Sequence, residues 1–160
     1  MEKGFTLVEL LVTVGLVLII GTVGTSIITS ILRSYNKAHI INEIEQNGNY
    51  VLSLMESQIR NARSVLVDGT GKILEVTPQD GPSITFAITG SPGVVQKNGE
   101  TLTGDAVAVV VADSGFTVTG ISPQTVTIVL KIRQSSTITR IDYQAETTLR
   151  TTVVVRGSYE

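Results

Sequence analysis

Residues 3–12 read KGFTLVELLV and begin a hydrophobic span that continues to Leu32. Glu9 is the only charged residue within that span, and the next charge along the chain is Arg33. About 20 apolar residues cross the hydrocarbon core of a bilayer, so the span is long enough for a transmembrane helix. An ionised carboxylate at the centre of a bilayer costs about 2.5–3.5 kcal/mol on insertion scales. Glu9 is therefore a candidate functional residue that needs a cationic partner.

A free amine is the candidate partner. If the chain is cut between Gly4 and Phe5, Phe5 gains a positively charged α-amino group. That group and Glu9 would carry opposite charges on neighbouring turns of a helix, and opposite charges attract strongly where water is scarce. The pair could form within one chain or between adjacent chains. Pairing between chains would turn a membrane anchor into an assembly element.

The sequence from Lys3 to Glu9 resembles the class III signal of type IV pilins and type II secretion pseudopilins. The resemblance implies that a prepilin peptidase cuts between Gly4 and Phe5 and methylates the new N-terminus at Phe5. It also implies that Glu9 pairs with the N-terminal amine of a neighbouring subunit during filament assembly. The helix pattern of the family extends over residues 1–64.

The same resemblance implies a location and a set of partners. The protein would lie in the inner (cytoplasmic) membrane as a single-pass protein surrounded by lipid, with its C-terminal domain extracytoplasmic. It would then join a cell-surface filament or a periplasmic pseudopilus. The implied partners are the prepilin peptidase, other pilin or pseudopilin subunits and, indirectly, the inner-membrane assembly platform and a cytoplasmic ATPase. Positive charges lie on both sides of the span, so the orientation rests on the resemblance and not on the positive-inside rule.

Two simpler interpretations of the N-terminus explain less. A secretory signal peptide has an apolar region of about 7–15 residues that ends at a small-residue cleavage site. This span is longer, and the first alanine of the chain is Ala38. A plain transmembrane anchor explains the length of the span but leaves Glu9 and the Gly4–Phe5 junction without a role.

The pattern predicts one continuous helix from Phe5 to about Arg63, because no proline interrupts it. Its first half is apolar on all sides, as in a lipid-embedded helix or a filament core. In its second half, apolar residues recur at steps of three or four, which is the helical period. This predicted stripe consists of Ile41, Ile44, Gly48, Val51, Met55, Ile59 and Ala62, widened by Leu52. The stripe should pack on a globular domain.

Small residues are concentrated around Gly21 and Gly24 in the first half of the helix. They favour either a face for close helix packing or simple tolerance of glycine in a membrane. Many major pilins carry a proline at about this depth of the helix, where this chain has Ser26. This departure from the major pilins favours a minor subunit.

Beyond Ser64 the period becomes strand-like, with β-branched runs between turn signals. The predicted strands are Ser64–Val67, Ile73–Thr77, Ser83–Thr89, Val94–Lys97, Ala106–Val111, Phe116–Thr119, Thr125–Arg133 and Ile141–Arg156. The last range forms either one strand or two strands separated by a break. Asn98-Gly99 predicts a tight hairpin that leads into Thr101–Leu102. Alternation in Thr125–Arg133 predicts one buried and one solvated face. Ala106–Val111 is apolar on both faces, as in a central strand or an intersubunit contact.

The predicted fold class is therefore α+β. The N-terminal half of the long helix is transmembrane, and its C-terminal half packs on an antiparallel β-sheet domain, as in pilins. The predicted organisation is a leader at 1–4, a transmembrane or filament-core helix at 5–32, an amphipathic helix extension at 33–64 and a β-rich extracytoplasmic domain at 65–160.

Two segments, Leu54–Ala62 and Thr147–Gly157, are similar to minor pilins and pseudopilins of the J and W types. The similarity implies a structural subunit whose strand-rich domain contacts other minor subunits at the tip of a filament. The alternatives are a major pilin and a membrane-tethered extracytoplasmic binding module that does not polymerise.

Composition offers little support for other classes of function. The net charge is −2, without a basic cluster, so nothing indicates a nucleic-acid partner. The chain has no cysteine, unlike the many pilins that close a C-terminal loop with a disulfide. His39 is the single histidine and has no further ligands for a metal or a hydrolytic triad. Asp105 and Asp113 lack the dense Asp/Asn loop of a calcium site. We therefore expect no enzyme, cofactor, metal or catalytic residue.

Overall fold

The architecture is α+β, with one long N-terminal helix packed against two antiparallel sheets. This architecture comes from a computed structural model that describes residues 6–135 and 145–159. Gly4 and Phe5, the predicted cleavage site, lie outside the described residues. The helix, α1, runs from Leu7 to Arg60 and contains 54 residues. At 1.5 Å per residue it is about 80 Å long.

The C-terminal half of α1 buries the predicted stripe. Its buried residues are Ile44, Gly48, Val51, Leu52, Met55 and Ile59. The helix ends at Arg60 instead of near Arg63, because Ala62 already pairs with Pro78 at the start of the first strand. Ala62 is buried as predicted, but it belongs to a strand and not to the helix.

The first sheet is a five-stranded meander in the order β1-β2-β3-β4-β5. Its strands are β1 Ala62–Val67, β2 Ile73–Pro78, β3 Ile84–Thr89, β4 Val94–Lys97 and β5 Glu100–Thr101. Asn98 adopts a positive φ of 51° in the β4–β5 turn, as the Asn-Gly hairpin signal predicts. Its side-chain Oδ1 accepts a hydrogen bond from Thr85 N–H at 2.8 Å, which extends the ladder between β3 and β4.

The second sheet is built around one long strand. Its strands are β6 Val107–Val109, β7 Gly115–Thr119, β8 Thr125–Gln134 and β9 Glu146–Val154. β9 pairs along one edge of β8, whereas β7 and β6 pair in succession with the other edge. The last predicted strand is confirmed from Glu146 to Val154, and its first predicted residues, 141–144, lie outside the described residues.

β8 carries the centre of the core. Val126, Ile128, Leu130 and Ile132 are fully buried, which confirms the predicted alternation. The predicted strand Ala106–Val111 is shorter than expected, because residues from Val111 to Asp113 form a 3₁₀ turn. Residues Val107–Val109 are all buried.

The two sheets are joined along β6, which pairs with β8 on one side. On the other side Val109 N–H donates to Gly93 O of the first sheet at 2.7 Å. β6 therefore has neighbours on both edges, in agreement with the central-strand interpretation.

Gln124 provides a second junction between the sheets. Its side-chain Oε1 accepts from Val65 N–H at 3.0 Å, and its Nε2 donates to Val65 O at 3.3 Å. The side-chain amide thus occupies the edge of β1 as the backbone of another strand would. Exposed strand edges invite unwanted pairing, so this contact also protects β1.

Gly48 packs directly against side chains of the second sheet. A Cβ built on Gly48 would lie 2.2 Å from Leu149 Cδ1 and 2.7 Å from Ile132 Cδ1. Gly48→Val should destabilise the β domain by about 1–3 kcal/mol, because the extra methyl groups overpack this contact. Thermal unfolding of the full chain in detergent measures the effect.

Asn49→Val is the matched control, since Asn49 is exposed on the neighbouring helix position. Equal melting temperatures for the two variants would show that α1 does not approach the sheet this closely.

Candidate functional site

The candidate site is the start of α1, where Glu9 lies in the first turn. Thr6 is the N-cap residue, and its Oγ1 accepts a hydrogen bond from Glu9 N–H at 3.3 Å. Thr6 and Glu9 have the spacing of a capping box, in which a Ser or Thr and a Glu satisfy the first free N–H groups of a helix. An acidic residue here also interacts favourably with the positive end of the helix dipole. The side chain of Thr6 is therefore the cap, and Glu9 contributes its backbone N–H; the sequence analysis missed this cap, although the T-x-x-E signal was present.

The Glu9 carboxylate is exposed and has no hydrogen-bonding or ionic partner within the described residues. Of the predicted site, the structure thus describes Glu9 alone, and it presents the carboxylate to the surroundings of the helix. A partner for Glu9 must therefore come from outside the described residues.

The part of α1 around Glu9 is exposed and does not pack against the described strands of the β domain. From Leu7 to His39 every residue is exposed, apart from the half-buried Gly15 and Gly24. Large apolar side chains such as Ile20 remain 69% exposed. This part of α1 is about 50 Å long and is apolar enough to cross a membrane. Such an apolar surface is stable only in lipid or against other protein.

The position of Glu9 along the helix determines its electrostatic cost. The uncharged segment from Leu10 to Leu32 spans about 35 Å, slightly more than the hydrocarbon core of about 30 Å. In a bilayer Glu9 would therefore lie near the interface, within reach of water, and not at the centre. Packing of this helix end among other helices would remove that water and make a cationic partner necessary.

Hydroxyl groups within the apolar half bond to the helix backbone. Thr25 Oγ1 donates to Gly21 O at 2.8 Å, and Ser26 Oγ donates to Thr22 O at 3.0 Å. The hydroxyls of Thr13, Thr22 and Thr29 likewise donate to backbone carbonyls three or four residues earlier in the helix. These groups need no water, so they are compatible with a lipid or protein environment.

Gly21 and Gly24 are not required by any contact inside the described chain. A Cβ built on either residue would have no neighbour within 4 Å. Close packing against another molecule and simple tolerance both remain consistent with these two glycines.

The polar groups of the β domain are used to hold its loops. Asp68 accepts hydrogen bonds from the Thr70 hydroxyl and from the N–H groups of Thr70, Lys72 and Ile73 in the β1–β2 turn. These bonds, that of the Thr70 hydroxyl foremost, lower the pKa of Asp68 to about 2. Lys72 Nζ in turn donates to the carbonyls of Val111 and Ser114.

A cluster of two ion pairs joins the 3₁₀ turn to β8 and β9. Lys131 Nζ lies 3.2 Å from Asp113 Oδ2 and 3.4 Å from Glu146 Oε1. The hydrogen bond that Lys131 Nζ donates to Asp113, followed by the one to Glu146, raises the pKa of Lys131. Asp113 is thus engaged by a lysine.

The described ranges, 6–135 and 145–159, contain no group of three or more His, Cys, Asp or Glu side chains that could hold a metal ion. His39 is exposed on α1.

No protein-family model, curated protein or solved structure matches this chain. The family resemblance accordingly stays a prediction based on the residues themselves, above all Lys3–Glu9.

Asp68 makes the domain sensitive to acid. Its folded pKa of about 2 lies below the ordinary 3.8, so its contribution to stability is present above about pH 4 and disappears as the pH falls through 2. Asp68→Asn should lower the melting temperature at pH 7, and the difference from the unmodified chain should shrink toward pH 2.

Thermal unfolding across pH 2–7 measures this difference, with Asp80→Asn as the control in the next turn. Within the described residues the Asp80 carboxylate accepts no hydrogen bond. A pH-independent difference for Asp68→Asn would contradict the role of the charge.

Proposed function

We propose that the chain is a structural subunit of a type IV filament or of a secretion pseudopilus, and that it is a minor pilin or pseudopilin. One observation carries the proposal: the Glu9 carboxylate lies in the first turn of an exposed apolar helix, shortly after the Gly4–Phe5 junction, and has no partner within the described residues. The proposed protein is not an enzyme. It begins in the inner membrane with the β domain outside and ends in a filament.

The proposed cleavage between Gly4 and Phe5 changes the electrostatics of the helix start. It creates an ammonium group at Phe5, next to the N-cap residue Thr6, where the helix dipole is already positive. The ammonium group and the end of the helix dipole are both positive, so a nearby carboxylate stabilises this end of the helix. Glu9 of the same chain or of a neighbouring subunit supplies that carboxylate.

Assembly then transfers the exposed half of α1 from lipid into a bundle of similar helices. Helix association in membranes depends on close packing and on polar contacts, since lipid tails are as apolar as leucine. In the bundle the Glu9 carboxylate loses its access to water, so only a subunit position that offers an amine is stable. The ion pair would thus select the axial position of each incoming subunit.

The proposed partners follow from these steps. Prepilin peptidase cleaves the leader and methylates Phe5, and other pilin or pseudopilin subunits contact the helix. An inner-membrane platform and a cytoplasmic ATPase would act on the subunit indirectly.

A membrane-tethered binding module that does not polymerise is the second candidate. The position of Glu9 in the first turn favours it, because an interaction with the positive end of the helix dipole explains an acidic residue there without any partner molecule. The two candidates differ in whether incorporation into a filament requires the charge of Glu9.

The mature N-terminus tests the processing step. Mass spectrometry of the protein isolated from its native membranes should show Phe5 as a methylated first residue. Mature protein that retains Met1 would contradict the proposed cleavage.

Variants at the helix start test the assembly step. Glu9→Gln and Glu9→Ala should reduce incorporation into sheared filaments at least tenfold, because an unpaired buried charge costs about 3–5 kcal/mol. Glu9→Asp should retain part of the incorporation, since it keeps the charge. Membrane insertion of each full-length variant is measured in parallel by cell fractionation.

Thr6→Ala is the control for the capping role, because it removes the cap and keeps the carboxylate. Incorporation should survive this change. Normal incorporation of Glu9→Ala would refute the assembly role. Equal losses for Thr6→Ala and Glu9→Gln would favour the cap over the charge.

A further inference from the structure

The outer side of β9 is a long strand edge without a neighbour among the described residues. β9 is nine residues long and pairs with β8 along its other side. The bonds at its two ends show which residues face β8: Gln134 N–H donates to Ala145 O at 3.3 Å, and Val155 N–H donates to Gln124 O at 2.9 Å. Backbone groups of an antiparallel strand point alternately to its two sides. Every second residue of β9 therefore directs its N–H and C=O away from β8.

We call these outward-directed backbone groups the β9 edge, and they belong to Glu146, Thr148, Arg150, Thr152 and Val154. All of these residues are exposed, and their backbone groups make no hydrogen bond within the described residues. The side chains between them face α1 and the core, where Leu149 packs on Gly48 and Thr151 Oγ1 donates to Glu56 Oε1 at 2.5 Å. A strand added at the β9 edge would thus meet free backbone groups and break no existing hydrogen bond.

Other strand edges of the described domain are covered or short. Gln124 occupies part of the β1 edge, and the 3₁₀ segment Arg156–Tyr159 packs beside it. β7 meets the first sheet, since Phe116 N–H donates to Gly71 O at 2.8 Å. β5 is only two residues long. Natural proteins shorten, cover or kink free edges because these edges recruit other strands, yet β9 is long, uncovered and without a bulge.

Arg150 places a charge in the middle of the β9 edge. Its side chain is exposed and makes no ion pair within the described residues. Glu146, the acidic residue of the same strand, lies 3.4 Å from Lys131 instead. The residue opposite Arg150 on β8 is the apolar Val129. A carboxylate opposite Arg150 on an added strand would supply a favourable pair that the described chain lacks.

We propose that the β9 edge binds an extended strand of a different polypeptide, antiparallel to β9 and with a carboxylate opposite Arg150. Free N–H and C=O groups in strand register complement an extended backbone, and side chains of the added strand give specificity. Antiparallel pairing is used in both sheets of this domain. The inference deepens the proposed function by describing a partner strand, and it rests on that function only for the placement of α1 in a membrane.

The direction of α1 argues against a second copy of the chain as the occupant. Antiparallel pairing of two β9 strands relates the two domains by a two-fold axis perpendicular to the sheet. Because α1 lies along the inner face of this sheet, with Gly48 on Leu149 and Glu56 on Thr151, the axis reverses its direction. The two apolar halves would then point in opposite directions and could not enter one membrane. The added strand therefore comes from another polypeptide.

Amide hydrogen exchange measures these hydrogen bonds directly. In the monomeric full chain purified in detergent, the edge amides should exchange at least tenfold faster than the intervening amides, which bond to β8. The edge amides measured are those of Thr148, Arg150 and Thr152, and the intervening amides are those of Thr147, Leu149 and Thr151. In native membranes the edge amides should slow at least tenfold, whereas the amide of Gly81 in the β2–β3 turn should not change.

Two results of this measurement would overturn the proposal. Edge amides that exchange equally fast in both preparations would show that no strand is added. Slow edge amides in the detergent-purified monomer would show that the chain itself covers the edge.

Variants of Arg150 separate recruitment of a strand from protection of the edge, because a charge on an edge can also prevent pairing. Arg150→Glu should return the edge amides in native membranes to their rate in detergent, whereas Arg150→Lys should keep them slow. Arg150→Gln should accelerate them two- to fivefold, the effect of one cross-strand charge pair. Arg63→Glu, an exposed charge reversal on β1, is the matched control and should have no effect. Slower exchange in Arg150→Gln would show that Arg150 guards the edge and would overturn the proposal.

A benzophenone side chain introduced at Thr152 of the full chain identifies the occupant. After irradiation of native membranes, mass spectrometry of the linked peptide should show a segment of a different protein that contains Asp or Glu. A linked peptide from a second copy of the chain, or one without an acidic residue, would contradict the proposed occupant.

The outcomes distinguish this inference from the proposed function. Filament incorporation that depends on Glu9, together with unprotected edge amides in native membranes, refutes only the added strand. Protected edge amides together with normal incorporation of Glu9→Ala refute only the filament role.

Discussion

α1 is one continuous rod of backbone hydrogen bonds that passes through two different environments, and this continuity shapes the rest of the molecule. Between Ile44 and Ile59 one stripe of the helix is buried against the β domain. From Leu7 to Leu32 the same helix is exposed, apart from the half-buried Gly15 and Gly24. Because the backbone satisfies its own polar groups along the rod, the exposed half can lie in lipid or among other helices without refolding. The exposed apolar surface of this half is stable only in lipid or against other protein.

The β domain provides a rigid attachment for this rod without any disulfide. Its two sheets are held together by backbone contacts such as Val109 N–H to Gly93 O and by side chains that hydrogen-bond to the backbone of a neighbouring strand. Gln124 completes the edge of β1, and Lys72 binds two carbonyls at the 3₁₀ turn. These polar groups stabilise the β domain, whereas the Glu9 carboxylate of α1 has no partner within the described residues.

Much of the fold was accessible from local patterns. The period of the stripe predicted which face of α1 is buried, including Gly48, and alternation predicted the buried face of β8. The Asn98-Gly99 pair predicted the β4–β5 hairpin because few residues tolerate a positive φ. The end of the helix was predicted about three residues too late, since Ala62 continues the apolar period of the helix while the first sheet draws it into β1.

The sequence by itself determined the hydrophobic span, the position of Glu9 near its start and the change from helical to strand-like period, because each is a property of neighbouring residues. Only the tertiary structure decided that Gln124 closes β1 across 59 residues and that Lys72 reaches the carbonyls of Val111 and Ser114 across 39 and 42 residues. Such contacts depend on how the sheets pack in space, and no local spacing encodes them. The structure also decided which face of the upper helix is exposed, because the β domain covers only one side of α1.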